Sequence, residues 1–419
     1  MSVSANAAAA PRAGVITSLR NVAALIAAVL ILQTGQGLLN VHLPLAFESA
    51  GYSRTSLGFV AAAYSAGFMA GAWYGPMLLA RVGHIRVFSA CAAIVAVTTL
   101  GLQAADHLIV WFGLRAIAGG AVAMMFAAVE SWMSYSIAKH ERGSVMGFYQ
   151  VGTKAVLAGA PFLAMGYAAD APEPWMIAAA AMALAMVPVC FTSKAEPEPP
   201  KAQLLSVREQ FLTAPAAVIG AFGAGITNAG VLALAPLYAS SHYGPQSATS
   251  FYAAAWIGSL FLQWPAGRFS DRVDRRAVIA GLTTLAAVAA FALALMGGHA
   301  PLWVATLTFG LWGAGALSFY GIAVAHMADR AEPSRMAQAT SGLLFVWAAG
   351  SVIGPALQGV TGDILGPEGV FWFAGVAAVG ITGAMFWRSA VSAEPAHKET
   401  FSVNQATSTA ATESAFDKE

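Results

Sequence analysis

Arg115, Glu130 and Lys154 each interrupt a long apolar stretch of a 419-residue chain that is 58% hydrophobic and 10% charged. A charge at bilayer depth costs at least a few kcal/mol, so each needs a partner or a task. Arg115 could bind an anionic group or serve a proton relay; alternatively, backbone carbonyls of neighbouring helices could satisfy it. Glu130 follows fifteen residues later, which is ~22 Å along a helix at ~1.5 Å per residue. The two therefore cannot pair directly. Glu130 could carry a proton or act as a structural latch to a basic loop. Lys154 could approach Glu130 from the next helix, and Gln150 one turn earlier gives that helix a polar face.

Uncharged polar residues repeat the pattern. Gln33, Gln36 and Asn40 are spaced three and four apart, so they share one helix face. That face is costly against lipid and is expected to look inward. Thr227 and Asn228 form a similar group later in the chain. Tyr64, Trp256, Trp312, Tyr320 and Trp347 are candidate aromatic walls of the same cavity.

These residues need apolar elements to hold them. Twelve stretches are long enough for helices that cross a bilayer: roughly 21–45, 55–79, 87–105, 108–136, 145–168, 175–192, 214–239, 249–267, 277–297, 301–327, 336–361 and 369–388. The expected organisation is an N-terminal segment 1–20, a first group of six helices over 21–192, a linker over 193–213, a second group over 214–388 and a disordered tail over 389–419. The linker is rich in Pro and Glu and is expected to end in a short amphipathic helix near 204–212. All Lys and Arg except Arg54, Arg115 and Lys154 fall at one end if the spans alternate. That bias places both termini in the cytoplasm.

The composition also excludes several classes. A formal net charge of +1 argues against a nucleic-acid partner. Cys91 and Cys190 have no partner spacing for a disulfide, zinc or redox site. GFYQVGTK at 147–154 resembles a phosphate loop but places Thr153 before the lysine and follows no strand. No enzyme, metal or cofactor chemistry is expected.

The halves repeat. At an offset of 192 residues Gln36 falls on Asn228, Pro44 on Pro236 and Tyr64 on Trp256. At an offset of 191, Arg81 falls on Arg272 within GRFSDRVDRR, where six of ten residues are charged. Matching helices run the same way, as in a parallel repeat about the membrane normal. Gly267, Asp271, Arg272, Arg275 and Arg276 match a loop signature between the second and third helices of a half, with Asp274 where glycine is usual. The first-half copy keeps Arg81, Gly83 and Arg86 but has Ala80 and Pro76 at the acid and first glycine. LRAIAGG, with Arg115 and Gly119, and GSVIGPALQG at 350–359 are further matches.

Together these motifs resemble the major facilitator superfamily (MFS) over nearly the whole chain. VESWMSYSIAKHERGSVMGFYQ is similar to a poorly characterised group of bacterial inner-membrane carriers. The resemblance implies an all-α membrane protein with twelve transmembrane helices in two pseudo-symmetric six-helix bundles. It further implies a monomeric secondary transporter of a small organic solute, a symporter or antiporter working by alternating access, with possible proton coupling. Gln36 and Asn228 should then face each other across a central cavity. The cations Arg115 and Lys154 favour an anionic group on the solute. Asp271 and Arg272 should bridge helix ends in one state and release them in another, beside the ends of the fifth and tenth spans. A multidrug or metabolite efflux carrier, a vitamin carrier such as one for riboflavin, and a non-transporting scaffold or receptor are the alternatives. Loss of the acid at Ala80 weakens the efflux reading, and the inward polar faces weaken the scaffold reading.

Overall fold

The computed structural model describes residues 15–137, 141–192, 206–332, 335–393 and 401. The expected N-terminal segment up to residue 14, the linker up to residue 205 and the tail beyond 393, apart from Phe401, lie outside them. So do Lys139, Lys194 and Lys201.

Among the described residues every regular element is helical. The first group comprises α1 (Val15–Ser49), α2 (Arg54–Val82), α3 (His84–Gln103), α4 (Leu108–Ser136), α5 (Arg142–Gly159), α6 (Glu173–Leu184) and α7 (Met186–Cys190). The short α8 (Val207–Thr213) follows. The second group is α9 (Pro215–Tyr243), α10 (Ser247–Ser270), α11 (Arg275–Met296), α12 (Leu302–Ala316), α13 (Phe319–Ala328), α14 (Met336–Ile364) and α15 (Gly369–Val391).

The differences from the expected boundaries have local causes. α1 begins before Arg20, so part of the expected N-terminal segment is already helix. α5 stops at Gly159 and gives way to a 3-10 turn, Ala160–Ala164, because Pro161 has no N–H to continue the ladder. Residues 165–168 are therefore not helical, although the apolar stretch runs through them. α8 is the expected amphipathic helix, shortened to one capping box: the Ser206 hydroxyl accepts from Glu209 N while Glu209 accepts from Ser206 N. Glu209 is held below the ordinary carboxylate range by its bonds to Ser206 and then by Arg335.

Nine stretches of the described residues are long and apolar enough to cross a membrane. α2, α5 and α10 fall below that apolarity. These are also helices that supply polar residues to the interior. Large apolar side chains such as Ile109 and Phe261 project outward, 73% and 77% exposed. A chain buried in water would not leave so many uncovered; lipid is their natural neighbour.

Within the first group α2 packs on α4, α3 on α4 and α6, and α1 on α5 and α6. Within the second, α14 packs on α9, α11 on α12 and α15, and α10 on α12. The groups meet through α2–α14, α5–α10 and α1–α9. The α2–α14 contact needs glycine. A Cβ at Gly58 would lie 2.3 Å from Pro355 O, and one at Gly359 2.5 Å from Arg54 O. Beside them the Asp363 carboxylate accepts from Arg54 N at 3.0 Å and Thr55 N at 2.9 Å. These are orphan donors of the first turn of α2, where the helix dipole also favours an anion.

Candidate functional site

A cavity of about 430 Å³ lies between the two groups. Its walls take residues from α1, α2, α4 and α5 on one side and α9, α10, α13 and α14 on the other. Gln33, Gln36, Asn40, Tyr64, Arg115, Glu130, Gln150, Lys154, Asn228, Trp256, Tyr320 and Trp347 all line it.

The first-group wall is ordered by α1. Gln36 Nε2 donates to the Tyr64 hydroxyl at 3.2 Å. The Tyr64 ring in turn faces the Arg115 guanidinium, 4.2 Å from the ring centroid, a cation–π contact. Arg115 Nε has no hydrogen-bond partner. Asn40 Nδ2 reaches across to α10 and donates to the Tyr252 hydroxyl at 3.0 Å.

Lys154 crosses in the same way. Its ammonium donates to Ser259 Oγ at 2.5 Å and to Gln263 Oε1, both on α10. The expected approach of Lys154 to Glu130 is met only as a shared cavity, since the lysine's hydrogen bonds go to the second group. Glu130 is 3% exposed, has partners of its own, and lies within electrostatic reach of Tyr149 and Tyr320.

The second-group wall depends on a helix break. α12 ends at Ala316 and α13 begins at Phe319, which frees carbonyls at cavity depth. Asn228 Nδ2 takes Ala316 O at 2.7 Å. Asn228 and Gln36 thus share the cavity, but each is anchored to its own group. Tyr320 and Trp347 lie with ring centroids 6.2 Å apart, and Phe68 meets Trp347 at 6.1 Å.

Trp312 is the exception. It is 1% exposed, stacked on Phe309 at 5.1 Å within the apolar core. The break at Leu317–Ser318 lies between it and Tyr320, which lines the cavity. Several residues were not foreseen: Tyr149, Thr153, Tyr252 and Gln263 line the cavity, and Ser259, fully buried behind them, is a partner of Lys154. Ser259 and Gln263 are four apart on α10 and Tyr252 is one turn before Trp256, so the spacing was available as a signal.

The charged loop also departs from expectation. Arg272 and Arg81 are exposed. The work falls to their neighbours: Arg275 clasps Asp329 with Nε–Oδ2 at 2.7 Å and Nη2–Oδ1 at 3.2 Å, both side chains 0% exposed. Arg275 also donates to Ser270 and Asp271, at 2.8 and 3.2 Å. Arg276 pairs with Asp274 at 2.6 Å and caps carbonyls of Arg388 and Ser392 at the end of α15. The clasp therefore joins α10–α11 to α13 and α15. Burial pushes the Asp274 carboxyl up, but the Arg276 bonds outweigh it and hold it below the ordinary range. Asp271 accepts from Phe401 N at 2.9 Å, and the Phe401 ring covers Gly267 so closely that a Cβ there would sit 2.1 Å from it.

A family model described as Major Facilitator Superfamily matches residues 25–316 and again 217–416. The chain belongs to the major facilitator superfamily. Relatives in the superfamily include the uncharacterized MFS-type transporter YcaD of Salmonella enteritidis, 24% identical over 346 residues, 81% of this chain and 88% of that one. Among solved structures, a POT family transporter in complex with 5-aminolevulinic acid superposes with a TM-score of 0.74 at 14% identity, covering 88% of this chain and 96% of its own. The D-xylose–proton symporter gives 0.71 at 14%, covering 89% and 98%. The nucleoside transporter NupG gives 0.69 at 15%, covering 87% and 98%. At such identities these neighbours carry the MFS fold alone. The chain is thus a membrane transporter of this superfamily, and not an enzyme.

Proposed function

We propose that the protein is a secondary active carrier that moves a small organic solute across a bacterial inner membrane by alternating access. Its spans number twelve, counting α6–α7 and α12–α13 as broken helices, in two six-helix bundles over 21–192 and 214–388. Both termini are cytoplasmic, and one chain suffices, because both walls of the cavity come from the same chain.

The observation that carries this reading is the asymmetry around the cavity. At the end holding Arg54 and Asp363, contacts cross between the groups: Asp363 to α2, Arg54 Nη2 to Ser241 at 3.4 Å, and Asn40 to Tyr252. At the other end the hydrogen bonds between described residues stay within one group, as with Arg275–Asp329 and the bond from Ser18 to Glu141. This is the form expected of a carrier closed outside and open inside. The charged loop with Asp271, Arg272, Arg275 and Arg276, and its counterpart at Arg81, stand at the open end, where a gate must close in the other half of the cycle.

Transport is coupled to protons through Glu130, the acidic residue among the described residues of the cavity wall, within electrostatic reach of Tyr149 and Tyr320. The test uses proteoliposomes with an imposed pH gradient. E130Q should abolish gradient-driven accumulation while preserving solute exchange. Accumulation that survives in E130Q makes Glu130 a latch and overturns its proton role.

A further inference from the structure

Among the described residues, Arg115 is a cavity cation that no ion pair answers. Arg115 is 8% exposed, and a guanidinium stays protonated in proteins. Its Nε has no hydrogen-bond partner. The group that faces it, the Tyr64 ring, is neutral and is turned toward it by the bond from Gln36. A ring face attracts a cation but leaves its net charge in place. Glu130 stands fifteen residues farther along α4, ~22 Å away on the helix axis, too far to neutralise it. The other cation of the wall differs, because Ser259 and Gln263 already take the Lys154 ammonium.

Around Arg115 the remaining walls are broad and flat. Trp256 lines the cavity with its Nε1 turned toward the Tyr252 hydroxyl, and Phe68, Tyr252 and Trp347 present rings. Buried donors without acceptors mark where a ligand's acceptors belong.

Building on the carrier reading above, we infer that Arg115, oriented by Tyr64 and Gln36, is the anion-binding end of the cavity, and that the solute is an organic anion: a carboxylate on a flat, largely apolar body. Lys154 is then not an anion site. It ties α5 to α10 and must give up that tie when the groups part.

The test separates binding from transport. The melting temperature of the full-length purified protein is measured with benzoate, nicotinate and indole-3-acetate, with their amides benzamide, nicotinamide and indole-3-acetamide, and with chloride and inorganic phosphate. At least one carboxylate should stabilise the protein at concentrations tenfold or more below its amide. R115Q should lose that preference and R115K should keep part of it. Without ligand R115Q should melt no lower than the parent, whereas an arginine held for structure would lower it. Equal effects of acids and amides, a preference that survives in R115Q, a panel in which no carboxylate stabilises, or stabilisation by chloride or phosphate alone would each overturn the anion site. Counterflow in proteoliposomes with the same panel judges the carrier reading separately. Exchange of amides without acids sinks the anion site and leaves the carrier standing. Carboxylate binding with no exchange of any compound does the reverse.

Discussion

Gln263 carries an electrostatic load, because it accepts from the buried Lys154 ammonium. Hydrogen bonds to charged groups contribute about 1.5–3 kcal/mol, and losing one strands the charge. Gln263→Leu should therefore lower the melting temperature in detergent, and the additional change Lys154→Met should restore most of the loss. Equal losses in the single and double variants would contradict the bond. Asp274 gives a pH-dependent counterpart. Its carboxyl is held below the ordinary range by Arg276, so its stabilisation is complete above the unfolded carboxylate value and fades as pH falls through the folded one. The stability gap between the parent and Asp274→Asn should stay constant from neutral pH down to about pH 5 and shrink only as the pH falls below about 4. At this scale the sequence was most informative where a polar residue broke an apolar run, as Gln36, Arg115 and Lys154 do. It failed at Trp312, a candidate aromatic wall of the cavity that instead packs on Phe309 in the apolar core. It also passed over Ser259 and Gln263, since a hydroxyl and an amide in an apolar run gain meaning only when a lysine from another helix arrives.

The helices show why those residues meet. Nearly every apolar run became a helix close to its expected bounds, because few other structures satisfy the backbone in lipid. The ends and breaks were less legible. Pro161 ends α5 and Pro188 sits in the short α7, but no such marker stands between Ala316 and Phe319. There the exposed carbonyls are taken by Asn228 on α9, a partner that sequence distance conceals. Two element-scale outcomes follow from packing. Ala at Gly58 or Gly359 places a methyl 2.3 or 2.5 Å from backbone oxygen, so α2 and α14 must part. Maleimide labelling of a cysteine at Ser65, which lines the cavity, should then rise severalfold from the Arg54 side; unchanged labelling would mean that these helices can yield elsewhere. Breaking Arg275–Asp329 with Arg275→Gln removes a buried two-bond ion pair, at a cost of about 3–5 kcal/mol. Its melting temperature should fall well below that of Arg272→Gln, because Arg272 is exposed.

For the molecule as a whole, the repeat and the signature loop identified the superfamily from residues alone, but the unequal use of the two halves emerged only in three dimensions. The first half has Pro76 where the second has Gly267. Only at Gly267 is there room for Phe401, which lies on that residue and bonds Asp271. The cavity wall is likewise unequal, with Arg115 and Glu130 on the first side and amides and aromatic rings on the second. A rocking cycle would carry those charges as part of one rigid body while the second body alternately covers and uncovers them.

The contact between Asp363 and the start of α2 has one more consequence. Its acceptor is a side chain, but two of its donors are main-chain N–H groups of residues 54 and 55, with the Thr55 and Ser53 hydroxyls adding to them. Any residue except proline supplies the same main-chain donor. Random substitution can therefore erase this fastening almost only from the α14 side. In a saturation library scored for transport, position 363 should tolerate few replacements while position 55 accepts many, so that the closure is robust to drift in one partner and fragile in the other.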